Sequence, residues 1–180
     1  MLPPGHIAAG FLTAKALLKV LHPQLSTVRQ NQLLLWGMFF GFAPDLDYFY
    51  VFFREHAFTV KDMGRNNHRR FITHAPLLWL IAGLLIYFFS ADVYYKFIGL
   101  LLWLGSWSHF MLDSIEDGVM WLWPISLKRY ALKFPSIIKV DNNNFFGYWW
   151  KFIGQYIKSR VTFYFEVLII ITAAAVFLHH

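Results

Sequence analysis

Histidine and aspartate residues recur in this chain where hydrophobic segments begin or end. Imidazole and carboxylate groups together are typical ligands of divalent transition metals, and both are costly inside or beside a bilayer, where they usually mark function. Two such ligands four residues apart on a helix share a face and can reach one ion. The candidate ligands fall in four clusters: His6; Asp45 and Asp47; His68 and His74; and His109 and Asp113.

The size of this set bears on the number of ions. Seven ligands exceed the three or four protein side chains that one catalytic zinc uses, so the sequence predicts two or three divalent ions. A pair of ions can hold the attacking and leaving oxygens of a displacement reaction. Zinc, manganese and iron all suit these ligand types, and the ligands alone do not choose among them. The chain has no cysteine, which excludes a thiolate site.

The composition indicates a membrane protein. The 180 residues are 58% hydrophobic and 14% charged, with a mean hydropathy of +0.45. A soluble domain is about 45–50% apolar and roughly 25% charged, so this chain would expose large apolar patches in water. We expect an integral membrane protein in contact with the lipid bilayer. The net charge of +6 is then explained by topology, and no specific nucleic-acid partner is predicted.

The elements that must position the ligands are helical. We predict an all-α, polytopic membrane bundle of about five helices, formed by one membrane-embedded domain over residues 1–180. Pro44 should interrupt the second helix just before the Asp pair, and Thr73 should cap the third. An aromatic and basic connection, residues 116–160, is too polar to span and suits the membrane interface. The predicted helices cover about 5–21, 32–53, 75–89, 93–115 and 161–178.

Alternation of the helices brings the ligands together. In an antiparallel bundle with these boundaries all four clusters fall at the same end, which predicts one shared metal site on a helix-end face. Each cluster also has a simpler interpretation. His6 could be an interfacial residue, the Asp pair a solvated helix stop, His68 part of a basic membrane-surface patch, and His109 and Asp113 a hydrogen-bonded couple. Those interpretations together require four coincidences.

Basic residues indicate the side of the membrane. Twelve of the sixteen lysines and arginines lie in 54–74 and 116–160, on the predicted face of the site. By the positive-inside rule that face is cytoplasmic, although a basic phosphate-binding site would produce the same bias. Arg69 and Arg70 are candidates for holding a phosphate, with membrane-surface charge as an equal alternative. Thr73, Glu116 and Asp117 are candidates for orienting the ligands, whereas Glu166 is expected to snorkel rather than reach the site.

The ordered motifs have a family resemblance. An N-terminal His, Pro-Asp-x-Asp, His-Arg-x-x-x-Thr-His and His-x-x-x-Asp followed by Gly and Pro resemble the YdjM-like family of LexA-regulated, membrane-bound metal-dependent hydrolases. The resemblance covers about residues 5–124. The stretches that carry it are His6, Pro44–Asp47, His68–His74, His109–Asp113, Gly118 and Pro124.

The resemblance implies a reaction class. The family is distantly similar to the zinc-dependent phospholipase C and single-strand nuclease superfamily, whose all-helical members cleave phosphoesters with a cluster of zinc ions. It therefore implies zinc bound by the seven candidate ligands and a metal-activated water that attacks phosphorus. Arg69 and Arg70 would neutralise the phosphate. The expected location is a bacterial inner membrane, and a lipid phosphoester entering from the leaflet is the favoured substrate.

Two other functions compete with hydrolysis. A metal transporter would need ligands near the bilayer midplane and a polar path to both faces, whereas these ligands lie at helix ends. A non-catalytic membrane scaffold would leave the His and Asp residues unexplained. His179 and His180 resemble the stub of a purification tag and are excluded from functional reasoning.

Overall fold

The computed structural model describes residues 1–55, 71–133, 145–159 and 161–179, and these are folded mainly as α-helices. Two 3₁₀ turns, Ala43–Asp45 and Ile72–His74, lie between helices. The predicted all-α fold is therefore confirmed. The helices are α1 (Pro3–Leu21), α2 (Thr27–Phe42), α3 (Leu46–Glu55), α4 (Pro76–Phe89), α5 (Val93–Glu116), α6 (Phe145–Ser159) and α7 (Val161–Leu178).

The predicted boundaries agree closely for most of these helices. The second predicted helix is broken at Pro44 into α2 and α3, as expected from a residue without an N–H. Two predictions are corrected. Residue Ala75, rather than Thr73, precedes the first turn of α4. The connection 116–160 also contains α6, which together with the break at Pro44 gives seven helices among the described residues, where the sequence predicts about five.

One helix has the properties of a membrane span. Among the described helices, α7 alone is long and apolar enough to cross a bilayer, judged by length and composition. Helix α4 is also strongly apolar but has 14 residues, which is shorter than the roughly 20 that a perpendicular crossing needs. The number of crossings in the predicted polytopic bundle stays a prediction.

Glycines allow the helices that carry the site to touch. A Cβ atom built on Gly10 of α1 would lie 2.1 Å from the carbonyl oxygen of Gly37 in α2. A Cβ on Gly83 of α4 would lie 2.6 Å from the carbonyl oxygen of Gly99 in α5. Small residues at such crossings are typical of membrane helices, where close packing replaces the hydrophobic effect as the driving force. The backbone of α1 is therefore held close to that of α2, and the backbone of α4 close to that of α5.

Two buried glutamates attach α7 to the rest of the bundle. Glu116, at the end of α5, accepts hydrogen bonds from the N–H groups of Val161 and Thr162 (both 3.2 Å) and from the Thr162 hydroxyl (2.7 Å). A carboxylate at a helix N-terminus satisfies unpaired N–H groups and the positive end of the dipole. Glu116, which was predicted to orient metal ligands, thus caps α7.

Glu166 performs the same task for α1. Its carboxylate accepts hydrogen bonds from the N–H of Gly5 (3.2 Å) and from the Tyr156 hydroxyl (2.6 Å). Only 4% of its surface is exposed, so the expectation that Glu166 snorkels is wrong. The first helix, the last helix and α6 therefore meet at one buried carboxylate.

Candidate metal centre

Four elements contribute the ligand-type side chains at one end of the bundle. His6 lies in the first turns of α1, and Asp45 ends the 3₁₀ turn after α2. His74 ends the 3₁₀ turn before α4, while His109 and Asp113 lie in the last turns of α5. All five side chains are buried or nearly so. The convergence expected from helix alternation is therefore present in the structure.

Four of these side chains form a compact group. One ligand atom from each of Asp45, His74, His109 and Asp113 can be chosen so that all four lie within 4.8 Å of one another. The Asp45 Oδ1 atom lies 3.4 Å from Nε2 of His74 and 3.6 Å from Nε2 of His109. Metal–ligand bonds of about 2.0–2.2 Å place the corners of a tetrahedron roughly 3.3–3.6 Å apart. The spacing fits a shared metal ion better than direct hydrogen bonds.

His6 extends the group on one side. Its Nε2 atom lies 3.3 Å from Oδ1 of Asp113 and 4.0 Å from Oδ2 of Asp45, and its ring stacks on His109 with centroids 3.8 Å apart. Neither ring nitrogen of His6 makes a hydrogen bond within the described part of the chain, although the side chain is fully buried. Buried polar atoms are rarely left in this state. A bound cation would satisfy the imidazole.

Hydrogen bonds orient two of the imidazole rings. The Nδ1 atom of His74 lies 2.9 Å from Oδ2 of Asp47, and Nδ1 of His109 lies 3.0 Å from the carbonyl oxygen of Gly41. An Nδ1–H that donates to an oxygen leaves the Nε2 lone pair for a metal. Both Nε2 atoms face Asp45. Asp47, predicted as a ligand, thus lies behind His74, and the Thr73 hydroxyl donates to the same carboxylate.

Neighbouring side chains in the group shift the pKa values of Asp45 and His74 in opposite directions. Burial alone would raise the pKa of Asp45, but the side chains of His109, His74 and His6 lower it well below its ordinary value. Burial alone would lower the pKa of His74, but its interactions with the carboxylates of Asp45 and Asp47 raise it to about 9. A metal must displace the proton that His74 carries at neutral pH. Metal affinity should therefore increase with pH.

A comparison with known proteins gives the family. The model of the YdjM inner membrane protein family matches residues 1–179. The chain belongs to this family. No curated protein and no solved structure matches the chain.

In this YdjM-family chain, two further interactions hold Asp113 in place. The amino group of Met1 forms ion pairs with Asp113 Oδ1 (3.1 Å) and Asp117 Oδ2 (3.0 Å), so Asp117 is linked to a candidate ligand through a shared cation. Gly118 ends α5 with a φ of 86° and donates its N–H to the carbonyl oxygen of Asp113 (2.8 Å). A positive φ at this position favours glycine. The end of α5 that carries the ligands is therefore held firmly.

Three predicted site residues lie outside the described part of the chain. His68, Arg69 and Arg70 fall within residues 56–70, so their roles as ligand and phosphate-binding residues stay predictions. One contributor was missed from the sequence, namely Gly41, whose backbone accepts the His109 hydrogen bond. The Gly37-x-x-x-Gly41 spacing could have identified it, because this spacing is typical of closely packed membrane helices.

The position of Asp47 gives a testable expectation. Asp47→Ala removes the acceptor of the His74 Nδ1–H, and loss of such a partner typically lowers metal affinity about 10–100-fold. Asp47→Asn keeps an acceptor oxygen and should lose less. Titration against a competing chelator measures the affinity, and elemental analysis gives the stoichiometry. If both variants lose a whole ion at saturating metal, Asp47 is a direct ligand and its placement behind His74 is wrong.

Proposed function

We propose that this inner membrane protein is a metal-dependent hydrolase that cleaves a phosphoester, with a lipid as the favoured substrate. The observation that carries the proposal is the buried group formed by Asp45, His74, His109 and Asp113, whose ligand atoms lie within 4.8 Å of one another, close enough to hold one metal ion. A purely structural cluster of this kind would leave imidazole nitrogens buried without hydrogen bonds, as at His6 and His109. The family resemblance supplies the reaction class.

The carboxylates support more than one ion. Asp45 presents Oδ1 to His74 and His109 and Oδ2 to His6. Asp113 likewise presents Oδ1 to His6 and Oδ2 to His109, at 3.3 and 3.7 Å. Each carboxylate could therefore bridge two neighbouring cations. We propose two ions, with zinc preferred because imidazole and carboxylate ligands suit it, and a third if His68 contributes.

The bound ions would supply the chemistry, and the protein would supply orientation. Divalent ions lower the pKa of water toward neutrality and neutralise charge on a phosphoryl oxygen. Asp47 and the Gly41 carbonyl hold the rings of His74 and His109 in one orientation. Burial of the ligand side chains lowers the local dielectric, which strengthens their interaction with a cation.

Apolar side chains beside the ligands favour a lipid substrate. Leu46, Phe49 and Ile72 are each roughly half exposed. The first two lie at the start of α3, directly after Asp45, and Ile72 lies in the same 3₁₀ turn as His74. A phosphate at the metal site would thus have a hydrophobic surface beside it for an acyl or prenyl chain. Arg69 and Arg70 would neutralise the headgroup. The distribution of basic residues favours a cytoplasmic site, facing the anionic lipids of that leaflet.

The purified full-length protein tests this proposal directly. We expect wild type to retain divalent metal and to hydrolyse a phospholipid or polyprenyl phosphate, and to lose turnover on chelation. His109→Ala should lose metal and more than about 100-fold in turnover, since direct ligands matter more than their hydrogen-bond partners. His22→Asn is the matched control, because His22 is an exposed imidazole at the opposite end of α1.

The alternatives give different results in the same assays. A protein that holds metal but turns over no phosphoester, and that carries metal across proteoliposomes, would be a transporter. A wild-type protein without metal after mild purification would contradict the central claim and favour a scaffold. Equal turnover in wild type and His109→Ala would exclude the proposed site.

A further inference from the structure

Helix α6 presents two distinct apolar faces. Phe146, Trp150, Ile153 and Ile157 follow one another at helical spacing on a single face, and all four are exposed, the first two by 79% and 83%. A second face, which contains Trp149, Phe152 and Tyr156, turns inward. Tyr156 is buried, and its ring packs edge-on against Phe163 of α7, with the ring centroids 6.0 Å apart. The inward face explains how α6 attaches to the bundle. It does not explain why the stripe of large apolar side chains on the first face is exposed.

The third face of α6 is basic. Lys151 and Lys158 are seven residues apart and therefore lie on one side of the helix, roughly 120° from the exposed stripe at about 100° per residue. Gln155 lies next to them, and the sequence of α6 contains no aspartate or glutamate. An apolar stripe beside a basic face is typical of helices that lie in the plane of a membrane containing anionic lipids.

We propose that α6 lies in the headgroup boundary of an anionic leaflet, with Phe146, Trp150, Ile153 and Ile157 inserted among the acyl chains and the lysines at the surface. Three observations favour lipid as the occupant of the stripe. The chain belongs to an inner membrane protein family. Only Arg160 separates α6 from α7, the candidate span. The lysines complement anionic headgroups and would keep their charges in the aqueous layer.

This position also sets the depth of the metal centre. The Tyr156 hydroxyl of α6 donates to Glu166 (2.6 Å), and Glu166 accepts from the N–H of Gly5, the residue before His6. At the same end of α7, Thr162 is bonded to Glu116, three residues after Asp113. Short contacts therefore connect the in-plane helix, through α7, to both sides of the ligand group. The metal centre lies at the level of the lipid phosphates, whether or not it is hydrolytic.

Accessibility of single cysteines tests the placement in the full-length protein. The chain has no cysteine, so a spin label at one introduced cysteine reports that position alone. We compare Trp150→Cys, Ile153→Cys and Ile157→Cys with Lys151→Cys, Gln155→Cys and Lys158→Cys, in vesicles of phosphatidylcholine and phosphatidylglycerol. Oxygen concentrates in the acyl chains, whereas a polar nickel chelate stays in water. The oxygen-to-nickel collision ratio should be several-fold higher along the stripe than on the basic face.

The two ways of failing are distinct. If the nickel chelate reaches the stripe as readily as the basic face, α6 lies in water. If neither reagent reaches the stripe, protein covers it, as a second copy would. Both results would overturn the proposal. Each variant must keep wild-type helix content, and positions in the stripe can be replaced one at a time if one of them prevents folding.

The charge requirement has its own test. Raising the fraction of phosphatidylglycerol should increase the oxygen-to-nickel ratio at a label on Ile153→Cys, because the lysines draw the helix toward the anionic surface. Adding Lys151→Gln and Lys158→Gln should abolish this lipid dependence and leave the ratio near its value in phosphatidylcholine alone. A ratio that responds to phosphatidylglycerol equally in both backgrounds would overturn the role of the lysines.

Discussion

Asp45→Asn is expected to leave the folded protein without bound metal. Asp45 lies at the centre of the ligand group, with Oδ1 at 3.4 Å from His74 Nε2 and 3.6 Å from His109 Nε2. An amide in its place removes the negative charge and offers a neutral, weaker ligand to each neighbouring cation. Loss of an outer partner costs about 10–100-fold in metal affinity, so loss of this ligand should cost more than about 100-fold. Metal content after gel filtration, with chelator competition, measures the effect.

Thermal unfolding adds a second measurement to the Asp45 experiment. A ligand that binds only the folded state stabilises that state, by an amount that grows with the logarithm of the ligand concentration divided by Kd. Added metal should therefore raise the Tm of wild type but not that of Asp45→Asn. Asp92→Asn is the matched control. Its carboxylate is exposed, pairs with Arg29 and caps the far end of α5, and asparagine keeps the cap. Equal metal content in wild type and Asp45→Asn would remove Asp45 from the site.

Gly41→Ala is expected to damage both the fold and the site. The added Cβ would lie 2.4 Å from the carbonyl oxygen of His6 and 2.9 Å from Cα of Gly10, so the backbones of α1 and α2 must separate. Overpacking of this kind costs about 1–3 kcal/mol, which exceeds the roughly 0.5–1 kcal/mol that alanine contributes within a helix. The shift also moves the Gly41 carbonyl that orients His109. We expect lower unfolding free energy together with weaker metal binding.

A second glycine provides the comparison for Gly41→Ala. A Cβ at Gly154 of α6 would meet nothing within 4 Å. Gly154→Ala should therefore be neutral or should stabilise the helix by up to about 1 kcal/mol. Denaturant titration in micelles compares the two variants directly. If Gly41→Ala is as stable as Gly154→Ala and binds metal like wild type, the close contact of α1 with α2 does not position the site.

Part of this centre could be predicted from the sequence because it depends on periodicity and alternation. His109 and Asp113 share a face whatever surrounds them, and Pro44 must break the helix before Asp45. Antiparallel helices then bring His6, Asp45, His74 and the α5 pair to one end. These inferences use only the local geometry of a helix and the order of the segments along the chain.

Other features depend on tertiary contacts that no local pattern encodes. In the sequence, Glu116 and Glu166 resemble carboxylates at the membrane edge. Their capping roles become evident only in the structure, where the N-termini of α7 and α1 lie beside them. Asp47 has the same ligand chemistry as Asp45, and only the position of the His74 ring separates their roles. Helix α6 was missed because its two glycines and aromatic residues weaken the helical pattern, whereas packing against α7 stabilises it.

The cap that Glu166 provides also constrains how the protein is made. Gly5 and Glu166 are separated by 161 positions, so the carboxylate that caps the first helix is synthesised long after the amide group that donates to it. Until α7 has been made, the amide groups beside His6 lack this acceptor. A nascent chain that stalls before α7 would hold His6 on a helix without this cap. The ligand group can therefore reach its final geometry only after α7 has been synthesised.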